Sequence, residues 1–241
     1  TYQKELRETK GWQQFTAKHP GWRVEFNEEN RKPHRAYGKS IATNGSTYEA
    51  CAENFIAQEL GEFNIPFGDL YVTGKSLSTK HCYINYGQRY NGVKVLFSRM
   101  VVKMTKDRRV IMFGADVYDD INININPTLG PTQAAAAAKV GIDETILSTE
   151  VNKDLFILPI PEFRKYNYRL VYEVMVETIG GEIPASYRTW VDAENGEVLY
   201  RDNQVKFHTP HPTAPPPPPP APIEVDITAT IYPTYSYNPS A

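Results

Sequence analysis

The dipeptide Asn91-Gly92, set between two alternating apolar runs, limits the fold of this chain more than any other feature. A two-residue type I′ turn needs positive φ at both positions, and Asn followed by Gly tolerates this at least cost, so a tight β-hairpin is predicted. A second polar turn at Lys106-Asp107 leads into another run, and Tyr83 to Val117 reads as three consecutive antiparallel strands. Strict alternation puts Val93, Val95, Phe97 and Val101 on one face and Leu96, Met100, Val102 and Met104 on the other. The second strand is then apolar on both sides, as expected of a central strand covered on both faces.

A chain of 241 residues with 41% hydrophobic residues can bury a substantial core, in one large domain or two small ones. Its 26 basic and 28 acidic residues leave a net charge of −2, which gives no field for holding a polyanion, so nucleic acid is not expected as a partner. No apolar run is long enough to span a membrane, and Thr1-Tyr2-Gln3-Lys4 does not open a signal peptide. An exported chain has therefore had its signal removed. The 16 tyrosines against 2 cysteines suit an exported, strand-rich protein. Cys51 and Cys82 either pair in an oxidising compartment, which the chain-entropy model values at roughly 3–4 kcal/mol, or remain buried thiols acting as small hydrophobes.

Several segments announce their structure. Tyr2 to Lys18 carries a weak helical stripe and is expected as an exposed leading helix or partly ordered arm ending at His19-Pro20-Gly21. Trp22 to Phe26 alternates as a short strand, and Arg31-Lys32-Pro33-His34-Arg35 reads as a solvated basic loop. Ser46-Thr47-Tyr48-Glu49 is a capping box opening a helix whose Tyr48, Cys51, Ala52, Phe55, Ile56 and Leu60 share one face, with Gly61 as its stop. Leu70 to Val72 is a strand. Asp119-Asp120 and Ile121 to Asn126 form an extended connector ending at Pro127. A second helix starts at Pro131-Thr132-Gln133, with Thr132 as N-cap and an alanine run behind it. Strands return from Phe156: Tyr168 to Thr178, a Gly180-Gly181 turn, Ser186 to Ala193, the turn Glu194-Asn195-Gly196, and Glu197 to Arg201. Carboxylates at Asp116, Asp119 and Asp120, or at Asp192 and Glu194, have no calcium-loop spacing and read as strand ends and turns. Residues 208–222 form a polyproline II spacer spanning on the order of 45 Å, and Ile223 to Tyr232 alternates as a strand.

Two stretches are recognisable. Tyr86-Gly87-Gln88-Arg89-Tyr90-Asn91-Gly92-Val93-Lys94-Val95, followed by Arg99-Met100-Val101-Val102, resembles the hallmark hairpin of the fungalysin/thermolysin propeptide family. Ala36-Tyr37-Gly38-Lys39-Ser40-Ile41 extends that resemblance back to about residue 33, while Lys106-Asp107-Arg108-Arg109 departs from the Asp-Gly turn usual there. Tyr172-Glu173-Val174, Trp190-Val191-Asp192-Ala193 and Gly196-Glu197-Val198-Leu199 resemble the PepSY domain found in the same prosegments. The resemblance implies hallmark structural roles for Gln88, Asn91, Gly92, Val93, Val95, Trp190, Asp192 and Gly196, and for Gln88 a hydrogen bond to the backbone of the neighbouring strand. Helix followed by long hairpins occurs at 46–118 and again at 131–204. The expected fold is α+β, two related units each with a helix packed on a curved antiparallel sheet. The expected organisation is residues 1–127 and 128–206 as the two units, 207–222 as proline linker and 223–241 as the start of a further β segment.

No catalytic constellation is present. None of His19, His34, His81, His208 or His211 stands in an H-E-x-x-H pattern, and there is no G-x-S-x-G elbow, phosphate loop or C-x-x-C knuckle. The segment is not expected to be an enzyme or to hold a cofactor. The resemblance implies a bacterial, secreted or cell-surface prosegment that chaperones and inhibits its own downstream catalytic domain, with zinc only in that domain. The alternative is a non-catalytic surface or assembly module of an exported multidomain protein.

Overall fold

The computed structural model describes residues 2–180 and 185–205; the proline-rich linker and the strand expected at 223–232 lie outside the described residues. Ten strands form one mixed sheet: β1 (Arg23–Phe26), β2 (Pro33–Ile41), β3 (Leu70–Leu77), β4 (His81–Tyr90), β5 (Val93–Thr105), β6 (Val110–Asp116), β7 (Thr145–Glu162), β8 (Lys165–Ile179), β9 (Ala185–Asp192) and β10 (Val198–Asn203). Four helices accompany it: α1 (Tyr2–Arg7), α2 (Lys10–Lys18), α3 (Tyr48–Glu59) and α4 (Pro131–Ala138). Both α3 and α4 are followed by a four-stranded antiparallel meander, β3 to β6 and β7 to β10.

The organising hairpin forms as its residues dictate. Asn91 and Gly92 have φ of 49° and 85°, and Tyr90 faces Val93. The facial assignment along β5 needs correction. Gln88 pairs with Val95 but Tyr86 pairs with Met100, so Leu96 to Arg99 bulge out of the ladder, with Phe97 at φ 58°. The bulge shifts the alternation, and Val95 now lies on the same face as Met100, Val102 and Met104. Below the bulge, Met100, Val102 and Met104 enter the first core; above it, Val95 enters the second.

The first core lies under α1, α2 and α3 and is dominated by aromatic rings around Phe15, which contacts Trp12, Trp22, Phe63 and Phe113. The leading segment is thus two packed helices, with Leu6, Trp12 and Phe15 buried, rather than an exposed arm. Gly38 permits this packing, since a Cβ there would sit 2.4 Å from the Trp22 ring. The Arg31–Arg35 run also departs from expectation. β2 begins at Pro33, and Lys32 is only 3% exposed. Its ammonium donates to Phe63 O at 3.2 Å and pairs with Asp119 at 2.7 Å. Helix α3 is capped by Thr47 rather than Ser46, and α4 by Gly130 rather than Thr132, with Gln133 Oε1 accepting from Gly130 N–H.

The second core lies between α4 and one face of β7 to β10, joined by Tyr118 and Ile121 of the connector. β7 starts at Thr145, eleven residues before the position expected from the apolar run, because the mixed stretch Thr145 to Leu155 is recruited by pairing with β8 and by packing Ile146, Val151 and Leu155 on the second core. The two halves meet where Lys94 and Val95 of β5 pair in parallel with Phe156 and Ile157 of β7. Beyond that contact Pro159 and Pro161 follow on β7; having no N–H, they leave fewer donors on that strand for further pairing. Residues 1–205 form one compact unit.

Candidate functional site

At the junction of the two cores stands Gln88, 1% exposed. The bulge in β5 leaves Gln88 N–H without its ladder partner, and Ser98 supplies one: Gln88 N–H donates to Ser98 Oγ at 3.0 Å, while Ser98 Oγ–H donates to Val95 O at 2.6 Å. The Gln88 side chain imitates a strand. Nε2 donates to Tyr118 O at 2.5 Å and Oε1 accepts from Tyr118 N–H at 2.8 Å. The partner is backbone, but it belongs to the segment leaving β6 two residues after that strand ends, rather than to the adjacent strand. Tyr118 in turn packs edge-on against Tyr166 and Tyr168, and Tyr166 Oη accepts from Asn27 Nδ2 at 3.1 Å. Burial raises the phenol pKa of Tyr118 and Tyr168, and the hydrogen bond from Tyr168 to Asp120 adds to the latter.

The same bulge presents an aromatic group on the face of β7 to β10 opposite α4. Trp190, 4% exposed, stacks on Tyr200 at 5.1 Å, meets Phe97 edge-on at 5.3 Å and carries the Arg188 guanidinium 5.2 Å from its ring. Phe156, Leu158 and Val171 pack beneath, while Phe97 itself is 62% exposed. A bulky residue at positive φ carries a backbone cost of about 1–2 kcal/mol, so an exposed ring held there points to a use beyond packing. The Trp190 Nε1–H is buried without a hydrogen-bond partner among the described residues. Sequence reasoning singled out Trp190 but not Phe97, Tyr200 or Ser98, since the bulge that brings Phe97 over Trp190 leaves no local mark in the residues.

Asp192 ends β9 and organises the turn after it. Its Oδ1 accepts from Glu194 N–H at 2.8 Å and Asn195 N–H at 3.3 Å, and Gly196 closes the turn at φ 79°, its N–H donating to Asp192 O at 3.0 Å. The turn residues satisfy their own backbone, as their types favour. Asn91, Gly92, Val93 and Val95 lie in the hairpin near Gln88, so that two clusters result, one around Gln88 and one around Trp190 and Asp192. Cys51 and Cys82 are both buried free thiols in the first core, with Cys51 Sγ–H donating to Gly45 O at 3.4 Å; the bridge entertained above is not formed. The acidic residues after β6 are dispersed: Asp116 pairs with His34, Asp119 with Lys32, and Asp120 accepts from Tyr168. Among the described residues no group of three His, Cys, Asp or Glu side chains could hold a metal ion, and no helix is long and apolar enough to cross a membrane.

Comparison with known proteins assigns the second half to a class. Residues 128–202 match the PepSY family model, described as peptidase propeptide and YPEB domain. Among individual proteins, the chain is similar to bacillolysin of Bacillus amyloliquefaciens, 29% identical over 140 residues, which is 56% of this chain and 26% of that protein. The chain thus spans about a quarter of the length of the curated relative it matches. Among solved structures it resembles the YpeB C-terminal domain of Bacillus megaterium, at 13% identity and TM-score 0.33 over 83% of this chain and 95% of that one. A protein described as a lipoprotein of Clostridium difficile 630 matches at 11% identity and TM-score 0.21, over 61% and 91% of the respective chains.

Proposed function

We infer that this chain is the prosegment of a secreted bacterial zinc metallopeptidase precursor, serving as intramolecular chaperone and inhibitor of the catalytic domain. On this reading residues 1–127 are a fungalysin/thermolysin propeptide unit and 128–206 the PepSY unit, whose family model matches 128–202. The two helix-plus-meander halves are related units. The observation that carries the reading is the open aromatic face around Phe97, Trp190 and Tyr200, combined with the PepSY match beneath it. A strained, exposed ring held over a buried tryptophan is suited to docking against another domain. The binding energy of that contact favours the folded catalytic domain and occludes its cleft until cleavage removes it. Zinc belongs to the catalytic domain alone, and this segment acts on its neighbour by contact rather than by chemistry.

The test is to express the complete precursor with and without residues 1–206, and to add residues 1–241 in trans to mature peptidase. Loss of folding yield on deletion, and inhibition in trans that weakens at least tenfold in Phe97→Ser, is the expected result. Equal yield and equal peptidase activity in both precursors would instead support a surface or assembly module.

A further inference from the structure

We propose that the notch where β9 stops short of β8 is a binding site for an extended peptide carrying a basic side chain. β8 pairs with β9 only from Val171 to Thr178; the last pair is Val171 with Asp192, and Ala193 N–H then donates to Leu170 O at 2.8 Å. Main-chain groups of alternate strand residues point to the same side, so those of Tyr168 also point toward the side that β9 has vacated. The far wall of the notch is the connector, and its end is closed where Thr128 and Leu129 N–H both donate to Ala193 O, at 3.0 and 2.9 Å. The cleft, open to solvent on one side, holds about 460 Å³, within the range of ligand pockets.

The frame is fixed before any ligand arrives. Tyr168 Oη–H donates to Asp120, and Tyr172 Oη–H donates to Leu129 O at 2.8 Å, so both ends of the connector are tied to β8. A strand laid in the notch would continue β9 and supply partners to the Tyr168 main chain, the mode by which exposed sheet edges take up peptides. Charge selects the side chain. Asp192 lines the cleft and is 1% exposed, and its Oδ2 has no hydrogen-bond partner. Arg169 Nη1 forms an ion pair with that oxygen at 3.4 Å, without a hydrogen bond. With Glu194 also on the lining, two carboxylates stand against one guanidinium, and this negative balance favours a peptide that brings a basic side chain. This proposal does not depend on the peptidase reading.

An end-blocked, fluorescein-labelled heptapeptide of alternating threonine and valine with a central arginine, titrated against the full 241-residue chain by fluorescence polarisation, tests it. Saturable binding is expected, with the Tyr168 and Ala193 amide resonances shifting. Glutamate in place of the arginine, or N-methylation of alternate amides, is expected to weaken binding at least tenfold. Thr128→Trp, which fills the cleft from an exposed position, should do the same. Asp192→Asn, which keeps the acceptor for Glu194 and Asn195 but turns the other atom into a donor, should weaken it at least fivefold, with circular dichroism melts checking that both variants are folded. Should either variant unfold, the peptide series on the unaltered chain still decides. No binding at millimolar peptide, or binding indifferent to N-methylation and to the central charge, overturns the proposal and leaves Asp192 as a turn carboxylate paired with Arg169.

Discussion

Gln88 shows how much one side chain can hold when it replaces a strand. Gln88→Ala removes both bonds to Tyr118 and leaves a buried N–H and C=O without partners, so we expect a loss of about 2–4 kcal/mol in urea unfolding. Gln88→Glu keeps the acceptor for Tyr118 N–H but turns a carboxylate oxygen toward Tyr118 O. Its folded-state pKa is then raised, the native state binds the extra proton, and the variant should regain stability as pH falls below neutrality, measured by melts between pH 7 and 5. The glutamine was flagged only by resemblance. From the residues alone it is a polar strand position; the alternation with Cys82, Ile84 and Tyr86 places it on the buried face, but nothing local reveals a partner 30 residues away at Tyr118. Lys32 was misread for the same reason: a basic run beside a proline looks solvated, while its partners Phe63 and Asp119 are 31 and 87 residues away.

At the scale of elements, the bulge in β5 ties stability to the proposed docking face. Phe97→Gly relieves the positive-φ cost of about 1–2 kcal/mol but forfeits an aromatic contact worth about 0.5–1.5 kcal/mol, so stability should stay within about 1 kcal/mol of the parent. Inhibition of the peptidase in trans should nonetheless fall; unchanged inhibition would remove Phe97 from the docking face. The hairpin, α3, α4 and the meander strands were legible because turn residues and 3.6- or 2-residue periods specify them locally. The mixed first half of β7, the helix α2 packed through Phe15, and the facial shift along β5 were not, since each depends on a partner distant in sequence or on a bulge that resets the alternation.

Across residues 1–205 two cores share one sheet, joined by the short parallel pairing of β5 with β7 and by the tyrosines around Gln88. We expect one cooperative unfolding transition, with fluorescence and far-ultraviolet dichroism coincident in urea; separated midpoints would mean the halves unfold independently. The buried tyrosines predict the alkaline limit. Tyr86, Tyr118 and Tyr168 all have folded pKa values raised by burial above the unfolded value near 10, so the native state retains protons that the unfolded chain releases. Their contribution is complete below about pH 10 and is lost as pH rises beyond it, and Tyr168→Phe should flatten that decline.

The buried ammonium of Lys32 turns this architecture into a built-in clock. It is held between the β1–β2 loop, the carbonyl of Phe63 and the connector after β6, whereas the other described lysines are exposed or half-buried. An amine-reactive reagent can reach it only when these three segments part. Its acylation rate, followed by peptide mass spectrometry, therefore counts how often this part of the chain opens, and a bound partner that slowed this one lysine would reveal which segments it clamps shut.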